Sequence, residues 1–263
     1  MAARAAPYRR VRIDLAYDGS GFHGFAAQDG HRTVEGELAA ALERLAGPVS
    51  ITVAGRTDAG VHARAQTVHV DVPTDARLLG DVERARRALD RMLGPEITIW
   101  RVRVVPATFD ARFSATERRY RYWLCDGPAL DPLDRIAVWH VGPPALDVAA
   151  MNAGGRHLIG EHDFASFCRR RGDQHLVRRV DALRVRRRPR GLVELHVAGP
   201  AFCHQMVRSI AGCLLRVGRG ARGADWVAEA LAARDRQVVG QVAPPHGLVL
   251  EGVSYGGRRT SPG

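Results

Sequence analysis

The first 105 residues change their hydrophobic periodicity in a fixed order, and this order limits the folds open to the chain. Apolar residues recur at every second position along Arg10–Tyr17, as in a half-buried strand whose polar face carries Arg12 and Asp14. They then recur at helical spacing along Val34–Leu45, a helix that Thr33 is suited to cap. The same rules predict six elements, in the order strand, helix, strand, strand, helix and strand: Arg10–Tyr17, Val34–Leu45, Ile51–Ala54, Thr67–Val72, Leu78–Met92 and Ile97–Val105.

The second half repeats this order with one helix added. Its predicted elements are a strand, a helix, a hairpin pair, two helices and a closing strand: Arg119–Cys125, Asp147–His157, Val180–Arg187, Leu192–Ala198, Cys203–Val217, Asp225–Arg234 and Leu248–Tyr255. The repeat is one of pattern and not of residue identity. The sequence therefore predicts an α+β protein of two ferredoxin-like (βαββαβ) halves related by a pseudo-repeat, with mostly antiparallel sheets. We place the two domains at residues 1–110 and 111–263.

Composition excludes several classes of protein. The chain has 263 residues, of which 46% are hydrophobic and 25% are charged, and these are the values of a globular protein. No apolar run approaches the roughly 18 residues of a membrane span, and the first residues do not resemble a secretion signal. Four cysteines lie far apart in a chain long enough to fold without disulfides. We therefore expect no membrane association, no disulfide and a reducing, cytoplasmic location.

The net charge of +11 is carried entirely by arginine, since none of the 39 basic residues is lysine. The absence of lysine is typical of a GC-rich genome and needs no functional account. The distribution is uneven, because Arg169–Arg190 holds ten arginines against Asp173 and Asp181. A local excess of this kind predicts a polyanion partner, which we expect in a basic cleft formed by the two halves. The alternative is a basic face that only contacts solvent.

The segment Gly55–Ala63, between two predicted strands, places an arginine, an aspartate and a histidine close together. A hairpin needs only about two to five connecting residues, and this segment is longer. Arg56 lies two residues before Asp58 and can keep that carboxylate ionised and positioned, as a carboxylate nucleophile requires. The alternative is a turn in which Asp58 accepts hydrogen bonds from nearby backbone amides.

Gly55-Arg56-Thr57-Asp58-Ala59-Gly60-Val61-His62-Ala63 resembles the signature of tRNA pseudouridine synthases of the TruA type. Five further blocks resemble that family and occur in its order: Tyr17-Asp18-Gly19 followed by Gly24, Phe109–Thr116 with Arg119–Tyr122, His162–Phe167, Phe202–Gly212 and Ala243–Leu248. Together the blocks extend from about Val11 to Tyr255, which is nearly the whole chain.

The resemblance implies that the chain isomerises uridine to pseudouridine at positions 38, 39 and 40 of the tRNA anticodon arm. It also implies a homodimer that needs no metal and no other cofactor. The catalytic residues would be Asp58, Tyr120 and Arg56, and the uracil would contact Tyr120, His62 and Leu248. For the tRNA phosphates the basic segment and the matched helix block offer seven candidates: Arg169, Arg170, Arg171, Arg186, Arg187, Arg188 and Arg208.

The reaction explains why these residue types are needed. A stacked uracil is out of reach, so the nucleotide must be flipped out before its glycosidic bond breaks. Asp58 would attack C1′, add to C6, or assist glycal formation through C2′, and the sequence leaves these three routes open. The ring of Tyr120 would stack on the uracil while its hydroxyl helps to remove the C5 proton. The alternative for Tyr120 is packing within a strand, the role that we assign to Tyr122.

Three sites depart from the family pattern: Phe25-Ala26-Ala27-Gln28, Gln205 and Ser209. We expect all three at RNA-facing or hinge positions, where they would affect the choice of substrate. Three rival functions are disfavoured. A passive pair of RNA-recognition modules would carry aromatic residues in its third strand, which here is Gln66–Val72. A metalloenzyme lacks its usual Cys and His spacings, and a DNA-binding regulator lacks a helix-turn-helix or zinc-finger pattern.

Overall fold

The computed structural model describes residues 8–170, 172, 175–256 and 258–259. The chain divides into two compact units. The first consists of residues 1–116 together with 251–263, and the second of residues 117–250. The first unit therefore combines two segments that are far apart in the sequence.

The first unit follows the predicted order of elements. These are β1 (Tyr8–Tyr17), α1 (Val34–Ala46), β2 (Ile51–Val53), β3 (His62–Pro73), α2 (Arg77–Gly80), α3 (Val82–Leu93) and β4 (Ile97–Val105). The single helix predicted over Leu78–Met92 is wrong in one respect, because α2 and α3 are separate. Asp81 interrupts them with an extended backbone, and its side chain caps α3 by accepting the N–H of Arg84 at 2.9 Å.

Strand β1 lies at the centre of the first unit. It pairs antiparallel with β3 on one side and with β4 on the other, and β2 pairs antiparallel with β3. Ile13, opposite Val68 of β3, is fully buried, as is Leu38 of α1. The apolar face of β1 and the apolar faces of the helices are therefore core, as their periodicity predicts.

The other face of β1 is not the solvent-facing surface that alternation predicts. Arg12 and Asp14 are only 7% and 6% exposed. Their side chains pair, with Arg12 Nε at 2.8 Å from Asp14 Oδ1, and Asp14 also accepts the hydroxyl of Thr67 at 2.8 Å. The guanidinium of Arg12 lies over the ring of Tyr255, 4.5 Å from its centroid. The prediction failed because residues distant in sequence cover this face and bury its charges as a pair.

The second unit contains more elements than the sequence predicts. These are β5 (Ala115–Cys125), β6 (Trp139–His140), α4 (Val148–Arg156), β7 (Gly160–Asp163), β8 (Val177–Val180), β9 (Ala182–Arg187), β10 (Leu192–Gly199), α5 (Met206–Gly218), α6 (Trp226–Ala232), α7 (Arg236–Val239) and β11 (Leu248–Tyr255). Strands β5 and β11 continue into the first unit, and β12 (Arg258–Arg259) pairs with β11.

The strand predicted over Val180–Arg187 is two strands. They separate at Asp181, whose N–H donates to the carbonyl of Ala198, so β8 pairs with β7 in a small sheet while β9 pairs with β10. Strand β10 lies between β5 and β9 and is antiparallel to both. The pairings of β1 with β3 and β4, of β2 with β3, of β10 with β5 and β9, and of β7 with β8 are antiparallel, whereas that of β5 with β6 is parallel. The predicted α+β class with mostly antiparallel sheets is confirmed.

Helix α5 begins three residues later than the pattern predicts. Gln205 has a left-handed backbone with φ of 65°, and its side chain accepts a hydrogen bond from Arg236. Cys203 and His204 therefore lie in the turn before the helix. None of the helices in the described part of the chain is long and apolar enough to span a membrane.

The expectation that the cysteines stay apart is wrong. Cys168 and Cys203 lie side by side with their Cα atoms 5.7 Å apart, a separation that suits a disulfide, although 35 positions separate them in sequence. The fold brings them together because the backbone N–H of Arg169 donates to the carbonyl of His204 at 2.9 Å. Cys125 and Cys213 are free and buried, and burial raises the pKa of the Cys213 thiol to about 12.

We predict that the oxidised protein yields a Cys168–Cys203 cross-linked peptide in a non-reducing digest. Closing a loop of this length should stabilise the fold by about 4 kcal/mol through the entropy of the unfolded chain. Chemical denaturation of wild type and of Cys168→Ser, each with and without reductant, measures this difference. Reductant should leave Cys168→Ser unchanged, and oxidised wild type without the cross-linked peptide would contradict the pairing.

Candidate active site

The segment between β2 and β3, residues 54–61, forms an irregular loop that presents Asp58. Within it Arg56 is exposed, Thr57 is buried and Asp58 is half-buried. The carbonyl of Asp58 accepts the N–H of Val61 at 3.1 Å, which closes a turn just before β3 begins at His62. A half-buried carboxylate on a loop anchored in two strands is suited to meet a substrate at a defined position.

A second segment, residues 19–25, packs directly against this loop. The N–H of Phe25 donates to the carbonyl of Thr57 at 3.1 Å, and that of Gly60 donates to the carbonyl of Phe22 at 3.4 Å. Gly24 has φ of +93°, and a Cβ there would lie 2.9 Å from the carbonyl oxygen of Thr57. Only glycine fits this conformation and this approach, so the Asp58 loop is held by backbone that has no room for a side chain.

His62 holds the other end of the loop. Its ring is buried, and Nδ1 accepts the N–H of Gly19 at 3.1 Å while lying 3.1 Å from a carboxylate oxygen of Asp18. Burial alone would raise the pKa of Asp18, but hydrogen bonds from Ser20 and the nearby His62 outweigh it and leave that pKa lowered. The block Tyr17-Asp18-Gly19 therefore contacts His62, the first residue of β3, through the backbone N–H of Gly19 and the carboxylate of Asp18.

Arg56 does not pair with Asp58 in the way that their spacing suggests. Among the described residues no hydrogen bond or ion pair joins the two side chains, because Thr57 turns inward between them. Arg56 extends into solvent from the exposed side of the loop. Arg56 therefore does not position the carboxylate by a direct contact.

Tyr120 and Tyr122, two residues apart on β5, have different surroundings. Tyr122 is fully buried, and its hydroxyl donates to the carbonyl of Pro244 at 2.8 Å. Burial raises the pKa of that hydroxyl. The ring of Tyr120 is 7% exposed and meets the ring of Phe202 edge to face, with centroids 5.2 Å apart. The packing role predicted for Tyr122 is confirmed. Phe202, the neighbour of Tyr120, is the first residue of the block Phe202–Gly212 that resembles the family.

Leu248 and Arg208 belong to the same unit as Tyr120. Leu248 is 6% exposed and opens β11, directly after the turn Pro245–Gly247. Arg208 of α5 donates from Nε to the carbonyl of Ala243 at 2.8 Å. Arg208 therefore supports the segment that leads to Leu248.

Three of the predicted phosphate-binding arginines are exposed. Arg169 and Arg170 follow Cys168, and Arg186 lies on the outward face of β9. No ion pair holds any of these three side chains within the part of the chain that the structure describes. Arg171, the fourth candidate of this kind, lies outside the described residues. Exposed guanidinium groups of this type are suited to contact phosphates.

Arg187 and Arg188 are instead engaged within the protein. Arg187 donates two hydrogen bonds to the carboxylate of Asp126, at 2.9 and 2.8 Å, and a third to the carbonyl of Leu146. Burial would raise the pKa of Asp126, but the hydrogen bond from Arg187 helps to lower it. Arg188 pairs with the buried Glu194 at 2.7 Å. These two arginines neutralise buried carboxylates, which the sequence pattern could not show.

The three departures from the family pattern differ in burial. Phe25 is fully buried and Ser209 is 1% exposed, so both contribute to packing. Ala27 and Gln28 of the first departure are exposed, and a role of these sites in the choice of substrate stays a prediction. Gln205 does occupy a bend, since it begins α5 in a left-handed conformation.

The sequence did not single out Tyr17 and Gln66 as residues that support the loop. Gln66 is fully buried and donates to the carbonyl of Gly55 at 2.8 Å, and the hydroxyl of Tyr17 lies 2.8 Å from Oγ1 of Thr57. A signal was present, because Gln66 shares the inward face of Val68 and Val70 on β3. A polar residue that continues an apolar stripe is buried with a partner and marks a structural or functional requirement.

The chain is similar to known proteins over most of its length. A sequence profile described as tRNA pseudouridine synthase matches residues 15–114 and 155–256. A tRNA pseudouridine synthase A of Streptomyces griseus is 46% identical over 262 residues, covering 97% of this chain and 91% of that protein. The protein of the same name from Frankia casuarinae is 47% identical over 251 residues, covering 94% and 89%.

The chain belongs to the tRNA pseudouridine synthase family. It is accordingly an isomerase that acts on uridine in tRNA, and the resemblance seen in the sequence motifs is confirmed. Both matched regions of the profile contain candidate site residues, with Asp58 in the first and Leu248 in the second. No group of three or more His, Cys, Asp or Glu side chains among the described residues is arranged to hold a metal ion.

Proposed function

We propose that this tRNA pseudouridine synthase modifies uridines 38, 39 and 40 of the anticodon arm and that Asp58 is its catalytic carboxylate. The observation that carries the proposal is the backbone-held loop that presents Asp58 half-buried between two strands. The position of the motif supports it, since Asp58 matches the family's aspartate residue by residue. The arm, the positions and the role of the acid all rest on that match.

The reaction needs a fixed carboxylate and no redox partner, because product and substrate are isomers. The target nucleotide is flipped out of the RNA stack, its C1′–N1 bond breaks, and the uracil turns so that C5 bonds to C1′. Asp58 attacks C1′, adds to C6, or removes the C2′ proton on the way to a glycal. All three routes require the ionised carboxylate within reach of the nucleotide. Arg56, exposed two residues earlier, is placed to contact the backbone phosphate of the flipped nucleotide.

Tyr120 supplies the second catalytic group of the proposal. Its ring stacks on the uracil, and its hydroxyl helps to take the proton from C5 before the product leaves. The edge-to-face contact with Phe202 orients the ring, as an aromatic platform requires. Leu248 and His62 complete the contacts to the uracil in this proposal, with the His62 ring oriented by the N–H of Gly19.

The tRNA backbone is bound through the basic segment of the second unit. Arg169, Arg170 and Arg186 are the first candidates, because their side chains are exposed and make no ion pair among the described residues. Arg208, and Arg187 and Arg188 with their carboxylate partners, contribute through the local positive charge. We propose further that the enzyme acts as a cytoplasmic homodimer, for which the molar mass in solution is the direct measurement.

Asp58→Asn keeps the shape of the side chain and removes its charge. We expect pseudouridine formation in unmodified tRNA to fall by at least about 1,000-fold while tRNA affinity changes little, because the lost interaction is made in the transition state. Release of the C5 hydrogen from labelled uridine measures the rate. Appreciable turnover by this variant would exclude Asp58 as the catalytic group.

Tyr120→Phe should leave tRNA binding intact and lower the rate of the chemical step by about 100-fold or more, as expected for loss of a proton-transfer group. Tyr122→Phe is the matched control, since it removes a hydroxyl two residues away that only meets the carbonyl of Pro244. Equal single-turnover rates for the two variants would contradict a chemical role for the Tyr120 hydroxyl.

Arg169→Gln/Arg170→Gln should weaken tRNA binding and flatten its salt dependence. Loss of two phosphate contacts reduces the slope of log K against log salt by about 2. Arg84→Gln/Arg91→Gln removes the same charge from exposed positions of α3 and serves as the control. If both variants show the same slope, general charge and not local contact explains the affinity.

A further inference from the structure

Three polar side chains are buried together beneath the Asp58 loop. Gln66, Tyr17 and Thr57 are 0%, 4% and 8% exposed. Tyr17 ends the apolar stripe of β1, and Gln66 continues that of β3, so the cluster occupies the edge of the core nearest the loop. Polar groups in such a place weaken the core unless they satisfy one another.

The hydrogen bonds of this cluster link Gln66 to Thr57 through the hydroxyl of Tyr17. Gln66 Oε1 accepts the N–H of Thr67 at 3.2 Å, which orients the amide so that Nε2 is the donor. The two N–H groups of Nε2 point to the carbonyl of Gly55 at 2.8 Å and to the hydroxyl oxygen of Tyr17 at 3.3 Å. The Tyr17 hydroxyl also hydrogen-bonds to Oγ1 of Thr57 at 2.8 Å, and either oxygen can be the donor in that bond.

The chain of bonds ends at the residue that precedes Asp58. It holds the loop from below at two points, the carbonyl of Gly55 and the side chain of Thr57. From the other side the N–H of Phe25 holds the carbonyl of Thr57. Thr57 is therefore held by hydrogen bonds through both its side chain and its backbone. This restricts the direction in which the side chain of Asp58 can point.

We propose that Gln66, Tyr17 and Thr57 are positioning residues, which hold the Asp58 carboxylate at the place where it meets the target nucleotide. They do not touch the substrate. The proposal rests on the catalytic role of Asp58 given above. A displacement of about 1 Å at a reacting group costs about 100-fold in rate, so a chain of this kind acts on turnover and not on tRNA affinity.

Tyr17→Phe removes the central hydroxyl and leaves Gln66 and Thr57 facing each other across a gap. We expect the single-turnover rate of pseudouridine formation to fall by about 10- to 100-fold, with the Kd for tRNA within about two-fold of wild type. Tyr255→Phe is the matched control, because it also removes a buried tyrosine hydroxyl from the same unit, one that donates to the carbonyl of Ala111 at 2.7 Å. Equal rates for the two variants would overturn the proposal.

Thr57 provides a second test that does not depend on the folding of Tyr17→Phe. Thr57→Val has nearly the same shape but no hydroxyl, whereas Thr57→Ser keeps the hydroxyl and loses a methyl group. We expect the serine variant to retain a rate near that of wild type and the valine variant to be as slow as Tyr17→Phe. A purely steric role would give the opposite order, and this result, or equal rates, would refute the chain.

Asp58→Asn, measured in the same assay, separates the two proposals. If it is inactive while Tyr17→Phe and Thr57→Val run at the wild-type rate, the catalytic role of Asp58 stands and the positioning role fails. If Asp58→Asn is itself active, the proposed function fails, whatever the other variants do. Inactivity of Asp58→Asn together with slow Tyr17→Phe and Thr57→Val supports both.

Discussion

The close approach of Gly24 to the backbone of Thr57 is the contact on which the candidate site depends. A Cβ on residue 24 would lie only 2.9 Å from the carbonyl oxygen of Thr57, so no side chain can be placed between the two segments. The carbonyl of Gly24 in turn accepts the N–H of Val34, the first residue of α1. The loop is therefore attached to a helix of the core through one short piece of backbone.

Burial of polar groups around this contact serves the same end. The Arg12–Asp14 pair on one face of β1 and the Gln66–Tyr17–Thr57 chain on the other replace apolar contacts with directional ones. Hydrophobic packing would hold the strands together equally well, but it tolerates small shifts. Satisfied hydrogen bonds specify one arrangement, and an active-site loop needs one arrangement more than it needs stability.

The arginines of the basic segment divide into two physical classes. Arg187 and Arg188 lie against buried carboxylates and hold strands β9 and β10 to their neighbours. Arg169, Arg170 and Arg186 are exposed and make no ion pair within the described part of the chain. A count of charges treats these classes alike, since it measures how many guanidinium groups are present and not which carboxylates reach them. The local excess of charge predicts a polyanion partner, and the folded chain decides which side chains are available to it.

Periodicity predicted most elements of the first unit because each strand and helix there buries a regular stripe, as Ile13 and Leu38 show. It failed where burial has another source. Arg12 and Asp14 look solvent-facing but are covered by Tyr255, more than 200 positions later. It also missed the short strands β6, β7 and β8, which bury too few residues to leave a pattern. Cys168 and Cys203 were misjudged because separation in sequence says nothing about distance in space.

The sequence by itself determined the α+β class and the family and singled out Asp58 as the candidate acid, because each follows from local order or from a contiguous motif. Gly55–Ala63 carries Asp58 in any conformation of the chain. Only the tertiary structure decided what surrounds that acid. It turned Arg56 to solvent, buried Thr57 beside Tyr17, and closed the loop with Gly19 and Gly24. These contacts join residues 30 to 50 positions apart, and hydrogen bonds across such distances exist only once the core has formed.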